Sequence, residues 1–122
     1  MDVGSVYRPE VFTIRADESL AEAASSMQYN EVSALPVFDG DRLAGIVTER
    51  DIVRAVADGV DPQETEVAGY MTQDPASISP ETSVGEAAER MLELGVRHFP
   101  VMMGDEVLGM ISIRDLLIEV ER

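Results

Sequence analysis

The chain repeats itself at a fixed offset of 64 residues without a gap, and that constrains the fold more than any other feature. Ile14, Glu22-Ala23-Ala24, Met27, Val32, Pro36-Val37, Gly40-Asp41, Gly45 and Arg50-Asp51 return as Ile78, Glu86-Ala87-Ala88, Met91, Val96, Pro100-Val101, Gly104-Asp105, Gly109 and Arg114-Asp115. The fold unit is therefore about 60 residues, present twice, and functional positions are expected in related pairs. We divide the chain at residues 1–60 and 61–122. Units this short bury little surface alone, so one integrated module with a shared core is expected. Even the lead-in repeats: Asp2-Val3 matches Glu66-Val67, which predicts order over Met1 to Glu10.

Each repeat reads strand, helix, strand, strand, helix, an α+β arrangement. In the first, Val11 to Ile14 is a strand candidate. Ser19 with Glu22 forms a capping box ahead of the apolar positions Leu20, Ala23, Ala24 and Met27. Ala34 to Phe38 and Arg42 to Val47 form a hairpin around Asp39-Gly40-Asp41. Thr48 opens a helix that Gly59 and Pro62 end, and Asp58 to Thr65 links the repeats. In the second repeat Ser77-Ile78 is the first strand. Ser83 and Glu86 cap a helix with Val84, Ala87, Ala88 and Met91 on its apolar face. His98 to Met102 and Glu106 to Ile111 form the hairpin. Ser112 opens a final helix with Leu116, Leu117 and Val120 inward. Met27 and Met91 are core positions, and at least one of Met102-Met103 is expected at the surface.

The charge balance excludes several classes. Twenty-four acidic residues face nine basic ones, all arginine, for a net charge of −15. The acids alternate with apolar positions through both repeats, which describes a solvated acidic surface rather than a disordered tail. No basic stripe exists to neutralise phosphates, so nucleic acid is not an expected partner. Such composition is similar to that of proteins from organisms holding molar salt, where the Debye length falls to about 3 Å and self-repulsion is screened. A halophilic archaeon is the expected source, the alternative being an acidic protein of a mesophile. No apolar run approaches a membrane span, and the N-terminus lacks the pattern of a signal peptide, so a cytoplasmic location is expected. The absence of cysteine removes disulfides and thiolate chemistry.

The polar motif recurs where the last strand of each repeat meets its last helix: Gly45-Ile46-Val47-Thr48-Glu49-Arg50-Asp51 and Gly109-Met110-Ile111-Ser112-Ile113-Arg114-Asp115. One reading is a capping arrangement alone. The other is a ligand site. A helix start offers amides and a positive dipole end to phosphate, the hydroxyl can donate to a phosphate oxygen, and an ionised aspartate suits two adjacent ribose hydroxyls.

The doubled unit, the Pro36 and Pro100 strands and the paired Thr48-x-x-Asp51 and Ser112-x-x-Asp115 motifs resemble a tandem cystathionine-β-synthase (CBS) domain pair, or Bateman module, over essentially the whole chain. The resemblance implies two repeats packed about a pseudo-twofold axis with two clefts. Asp51 and Asp115 would hold ribose hydroxyls, with Thr48 and Ser112 near ribose or phosphate and Ile46 and Met110 lining the base slot. Val32, Ser33 and Ala34 would face the Asp115 cleft, and Val96, Arg97 and His98 the Asp51 cleft, with Phe12 and Ala76 as further walls. Arg50 and Arg114 lie inside the motifs, as ligand contacts or as exposed first-turn side chains paired with Glu49 or Asp51. His98 is equally compatible with packing and with ligand contact. Arg97 is the better phosphate partner.

The function this implies is a non-enzymatic sensor of an adenosine-containing ligand. AMP, ADP or ATP comes first and S-adenosylmethionine next, with no cofactor required. A homodimer through helical faces and an unidentified effector protein are the implied partners. The alternative is a structural dimerisation module with empty clefts. One histidine, no cysteine, no metal-spaced cluster and no Gly-rich phosphate loop argue against catalysis. No catalytic or metal-ligating residue is assigned.

Overall fold

A computed structural model describes residues 1–120. The chain forms two compact units that cut across the linear repeats. One spans Phe12–Pro75; the other combines Met1–Val11 with the chain from Ala76 onward.

In the unit spanning Phe12–Pro75, four strands order as β1-β2-β3-β4: β1 (Ile14–Arg15), β2 (Ala34–Asp39), β3 (Arg42–Thr48) and β4 (Thr72–Gln73). β1 runs parallel to β2, with Ile14 opposite Val37, and the other pairs are antiparallel. The β2–β3 hairpin closes Asp39 onto Arg42 through Gly40 at φ 62°, the left-handed conformation that a two-residue turn requires. Helices α1 (Leu20–Asn30) and α2 (Glu49–Asp58) pack on each other. A groove of about 350 Å³ lies between them, lined by Ala24, Met27, Gln28, Val32, Glu49, Ile52 and Val53. It is mostly apolar and meets the polar motif only at Glu49.

The second unit has the same plan. α3 (Val84–Leu94) and α4 (Ile113–Val120) flank the hairpin of β5 (His98–Met103) and β6 (Glu106–Ser112). Its outer strands shrink to single bridges, Ile78 parallel to Val101 and Arg8 antiparallel to Met110. Subtracting 64 from Ile78 and Val101 recovers the Ile14–Val37 pair, and adding it to Arg8 recovers the Thr72–Ile46 pair.

The lead-ins are exchanged. The turn of 3-10 helix at Val67–Gly69 belongs to the unit of the first repeat, where the Val67 amide donates to the Glu18 carbonyl at 2.8 Å. The equivalent turn at Val3–Ser5 belongs to the unit of the second, where the Val3 amide donates to the Thr82 carbonyl at 2.8 Å. Each lead-in then lies over a glycine of the last long strand. A Cβ on Gly45 would stand 2.5 Å from the Thr72 carbonyl oxygen and 2.8 Å from Met71 Sδ. One on Gly109 would collide with the Arg8 carbonyl oxygen and the Tyr7 ring. The repeated glycine is therefore an approach site for backbone.

Buried residues form two clusters, one in each unit. They match at eight positions: Val3/Val67, Ile14/Ile78, Leu20/Val84, Ala23/Ala87, Met27/Met91, Leu35/Phe99, Val37/Val101 and Val47/Ile111. Met103 is exposed, as one of the Met102-Met103 pair was expected to be.

Several local expectations fail for physical reasons. Val11 to Thr13 joins no ladder, because the chain passes from one unit to the other there. Ser77 forms no strand; its carbonyl instead accepts from Arg90 at 3.1 Å. Leu117 is 53% exposed while Leu116 is buried, since neighbours 100° apart on a short helix cannot both face the core. The inward packing expected of Val120 lies outside the described side chains. At Ser19 and Ser83 the side-chain oxygen accepts from the amide of Glu22 and Glu86, at 3.1 Å each. The full reciprocal box appears at the polar motifs instead.

Candidate functional site

Both motif aspartates are nearly buried in a highly acidic protein. The side chain of Asp51 is 7% exposed and that of Asp115 9%. Buried carboxylates need hydrogen bonds, and the motif hydroxyl supplies them. Thr48 donates to Asp51 Oδ2 through its amide at 2.8 Å and its hydroxyl at 3.2 Å, and accepts from the Asp51 amide at 3.4 Å. Ser112 and Asp115 do the same at 2.9, 3.0 and 3.2 Å. These are reciprocal capping boxes, each fastening a helix to the strand before it.

This geometry corrects two expectations. The motif hydroxyls are not idle donors, because each already serves its own aspartate. The first amides of both helices are not all free either: Glu49 donates to the Ser33 carbonyl at 3.0 Å, and Ile113 to the Arg97 carbonyl at 2.8 Å. What remains on each carboxylate is Oδ1, and an arginine faces it in both units.

Those arginines are not repeat equivalents. On Asp51 it is Arg54, one turn along the same helix, with Nη2 3.5 Å from Oδ1. On Asp115 it is Arg8, from the lead-in strand, with Nε donating to Oδ1 at 3.1 Å. Arg50 and Arg114, inside the motifs, are both exposed. The spacing from Asp51 to Arg54 is a helical i,i+3 pair and was available in the sequence. Arg8 lies 107 residues from Asp115, so only the exchanged lead-in brings it there.

Arg54 is anchored elsewhere as well. Its Nη2 donates to the Tyr70 carbonyl at 2.9 Å and its guanidinium lies 5.3 Å from the centre of the Tyr70 ring. The Tyr70 hydroxyl donates to Asp58 Oδ2 at 2.7 Å, a bond that raises the tyrosine pKa above its ordinary value. Sequence reasoning missed this network, which has no counterpart at the matching positions of the other unit, Val6 and Ile118.

The other expected site residues fall around these motifs, each in its own unit. Ile46 is buried, and Pro36 faces it across the hairpin; Ala34 faces Thr48. Phe12 and Val32 are half-buried against the Phe12–Pro75 core, and Ser33 touches the start of α2 through its carbonyl. In the other unit Pro100 faces Met110 and His98 faces Ser112. Val96, Arg97 and Ala76 are exposed. Burial holds the His98 pKa below its ordinary value; the Asp115 carboxylate opposes that shift and the Arg97 charge adds to it. Among the described residues no cluster of three or more His, Cys, Asp or Glu side chains is placed to hold a metal, and no helix is long and apolar enough to cross a membrane.

Two α+β units of one plan, each with a capped carboxylate at a strand–helix junction, define a tandem repeat module. The CBS domain model matches residues 3–58 and 67–122, and the chain belongs to the CBS domain family. An uncharacterized 17.7 kDa protein of Acidianus ambivalens is 34% identical over 116 residues, covering 93% of this chain and 70% of that protein. A hexameric CBS-CP12 protein from bloom-forming cyanobacteria superposes with a TM-score of 0.93 at 30% identity, over 100% of this chain and 75% of that one. The CBS domain pair of protein MJ0100, solved in complex with 5′-methylthioadenosine and S-adenosyl-L-methionine, superposes with a TM-score of 0.90 at 22% identity, over 98% of this chain and 99% of that one.

Proposed function

We propose that this chain is a non-enzymatic sensor of an adenosine-containing ligand, bound through Asp51 and Asp115. The observation that carries the reading is the state of the two carboxylates. Each is nearly buried and fixed by its cap through Oδ2, which leaves Oδ1 as an acceptor for ribose hydroxyls. The adenosine ligands of the MJ0100 pair support the ligand class. AMP, ADP or ATP is preferred over S-adenosylmethionine, because Arg97, Arg50 and Arg114 are exposed cations suited to phosphate. Arg97 is proposed to act on the ligand held at Asp51, which makes that site the tighter one for phosphorylated adenosine. Ile46 is proposed to line the base slot at Asp51 and Met110 the one at Asp115, with Val96 serving the first, Val32 and Ser33 the second, and Phe12 and Ala76 as further walls.

A homodimer is part of the proposal. The helix pairs carry exposed apolar side chains, Tyr29, Val53 and Val56 in one unit and Leu92, Leu117 and Ile118 in the other. A second copy would cover them. The ligand-dependent shift would pass to an effector protein. High cytoplasmic salt is the proposed setting, given the net charge of −15.

The second reading is a structural module whose sites stay empty. The capping boxes favour it, since they account for the motif residues without any ligand. Mass spectrometry of small molecules released from the native protein, purified in high salt, separates the two. An adenosine compound released at near-stoichiometric amounts supports the sensor. No release, together with no nucleotide-dependent rise in melting temperature, supports the structural module.

A further inference from the structure

We infer that Arg8 is a latch on the Asp115 site, and that Arg54 is not one on the Asp51 site, so that an adenosine ligand fills Asp51 first. The inference rests on the nucleoside reading above and concerns two residues outside the repeated motif.

An ionised carboxylate offers about four acceptor positions on its two oxygens. At Asp115 the capping box takes both positions of Oδ2, at 2.9 and 3.0 Å, and Arg8 Nε takes one on Oδ1 at 3.1 Å. One position remains. A ribose diol donates two hydrogen bonds, so it must displace Arg8 to seat fully. At Asp51 the cap again takes both positions of Oδ2. Arg54 stands 3.5 Å from Oδ1 with its Nη2 committed to the Tyr70 carbonyl at 2.9 Å. Its charge reaches the carboxylate, but it occupies no acceptor position there. The diol can seat at Asp51 without breaking a contact.

The two arginines also differ in what holds them. Arg54 is held by its carbonyl bond and its stack on Tyr70, neither of which involves the Asp51 carboxylate. The described polar contact of the Arg8 guanidinium is Asp115 alone, and the side chain is 56% exposed. Water can therefore receive the guanidinium when the ribose arrives, and the ribose hydroxyls replace its hydrogen bond on the nearly buried carboxylate.

Adenosine is the probe for the test, because it carries no phosphate that a released Arg8 could attract. Arg8→Gln in an Asp51→Asn background should tighten adenosine binding at Asp115 about two- to fivefold, the range of an ion pair whose cation is solvent-exposed. Arg54→Gln in an Asp115→Asn background should tighten binding at Asp51 less than that. The Arg8 Nε–H resonance should be protected from exchange without ligand and lose that protection on saturation. If adenosine binds while Arg8→Gln changes nothing or weakens it, or while the resonance stays protected, the latch is refuted and the nucleoside reading stands. If adenosine binds to no variant and not to the wild type, both fail together.

Discussion

The two motif sites are built from the same backbone plan and finished by unlike side chains. At Asp51 the neighbouring cation comes from the helix itself and is tied to Tyr70. At Asp115 it comes from the lead-in of the other repeat. Opposite the motif hydroxyl stands Ala34 in one hairpin and His98 in the other. The residue after helix α1 is Glu31 in the left-handed conformation, φ 55°, where the second repeat has Gly95 at φ 67°. The repeat has thus kept what positions each carboxylate and let diverge what surrounds it.

The largest effects should come from the glycines under the lead-ins. Gly109→Ala drives a methyl into a carbonyl and a rigid tyrosine ring, whereas Gly45→Ala meets a carbonyl and a flexible methionine. We expect both to lose about 1–3 kcal/mol in urea unfolding, with Gly109→Ala at the upper end. Equal losses would mean that the lead-ins are equally soft and would weaken the contrast between the units. Arg97→Ala should come next, weakening AMP about three- to tenfold at the Asp51 site and adenosine little. A loss confined to the Asp115 site would reverse the assignment of Arg97.

Glu31→Gly should stabilise the protein by about 1 kcal/mol, because a side chain in the left-handed region costs roughly that much. Gly95→Glu should cost a similar amount. Chemical denaturation reads both, and opposite signs are required. The smallest effect concerns His98. Burial depresses its folded pKa below the unfolded value of about 6.5. The unfolded chain therefore binds more protons between the two values. The neutral histidine's contribution is complete above about pH 6.5 and is lost as pH falls towards the folded pKa. His98→Gln should flatten this part of the melting-temperature profile. An unchanged profile would remove His98 as a difference between the sites.

Much of this was legible in the sequence. The ungapped repeat carried both hairpins, all four helices and the matched cores, because periodicity and turn glycines are local signals. The motif spacing carried the capping boxes. Two things were not legible. The lead-in crossover depends on long-range pairing of Arg8 with Met110 and of Thr72 with Ile46, and two-residue strands leave no periodic trace. The second is the state of each motif carboxylate, since the motif spacing fits a helix cap and a ligand site equally. Spacing alone could not say whether the cap left an oxygen for a ligand, since this depends on which arginine stands at Oδ1.

The central claim is that each motif carboxylate serves at once as a helix cap and as a ribose acceptor. Calorimetric titration of AMP into the wild type, Asp51→Asn and Asp115→Asn tests it directly. Asparagine keeps an oxygen for the cap and turns an amide, which cannot accept, toward the ligand. We expect two binding events in the wild type. Each variant should lose about tenfold or more at its own site, with its melting temperature nearly unchanged. Nucleotide affinity unchanged in both variants would contradict the account and leave the aspartates as caps alone.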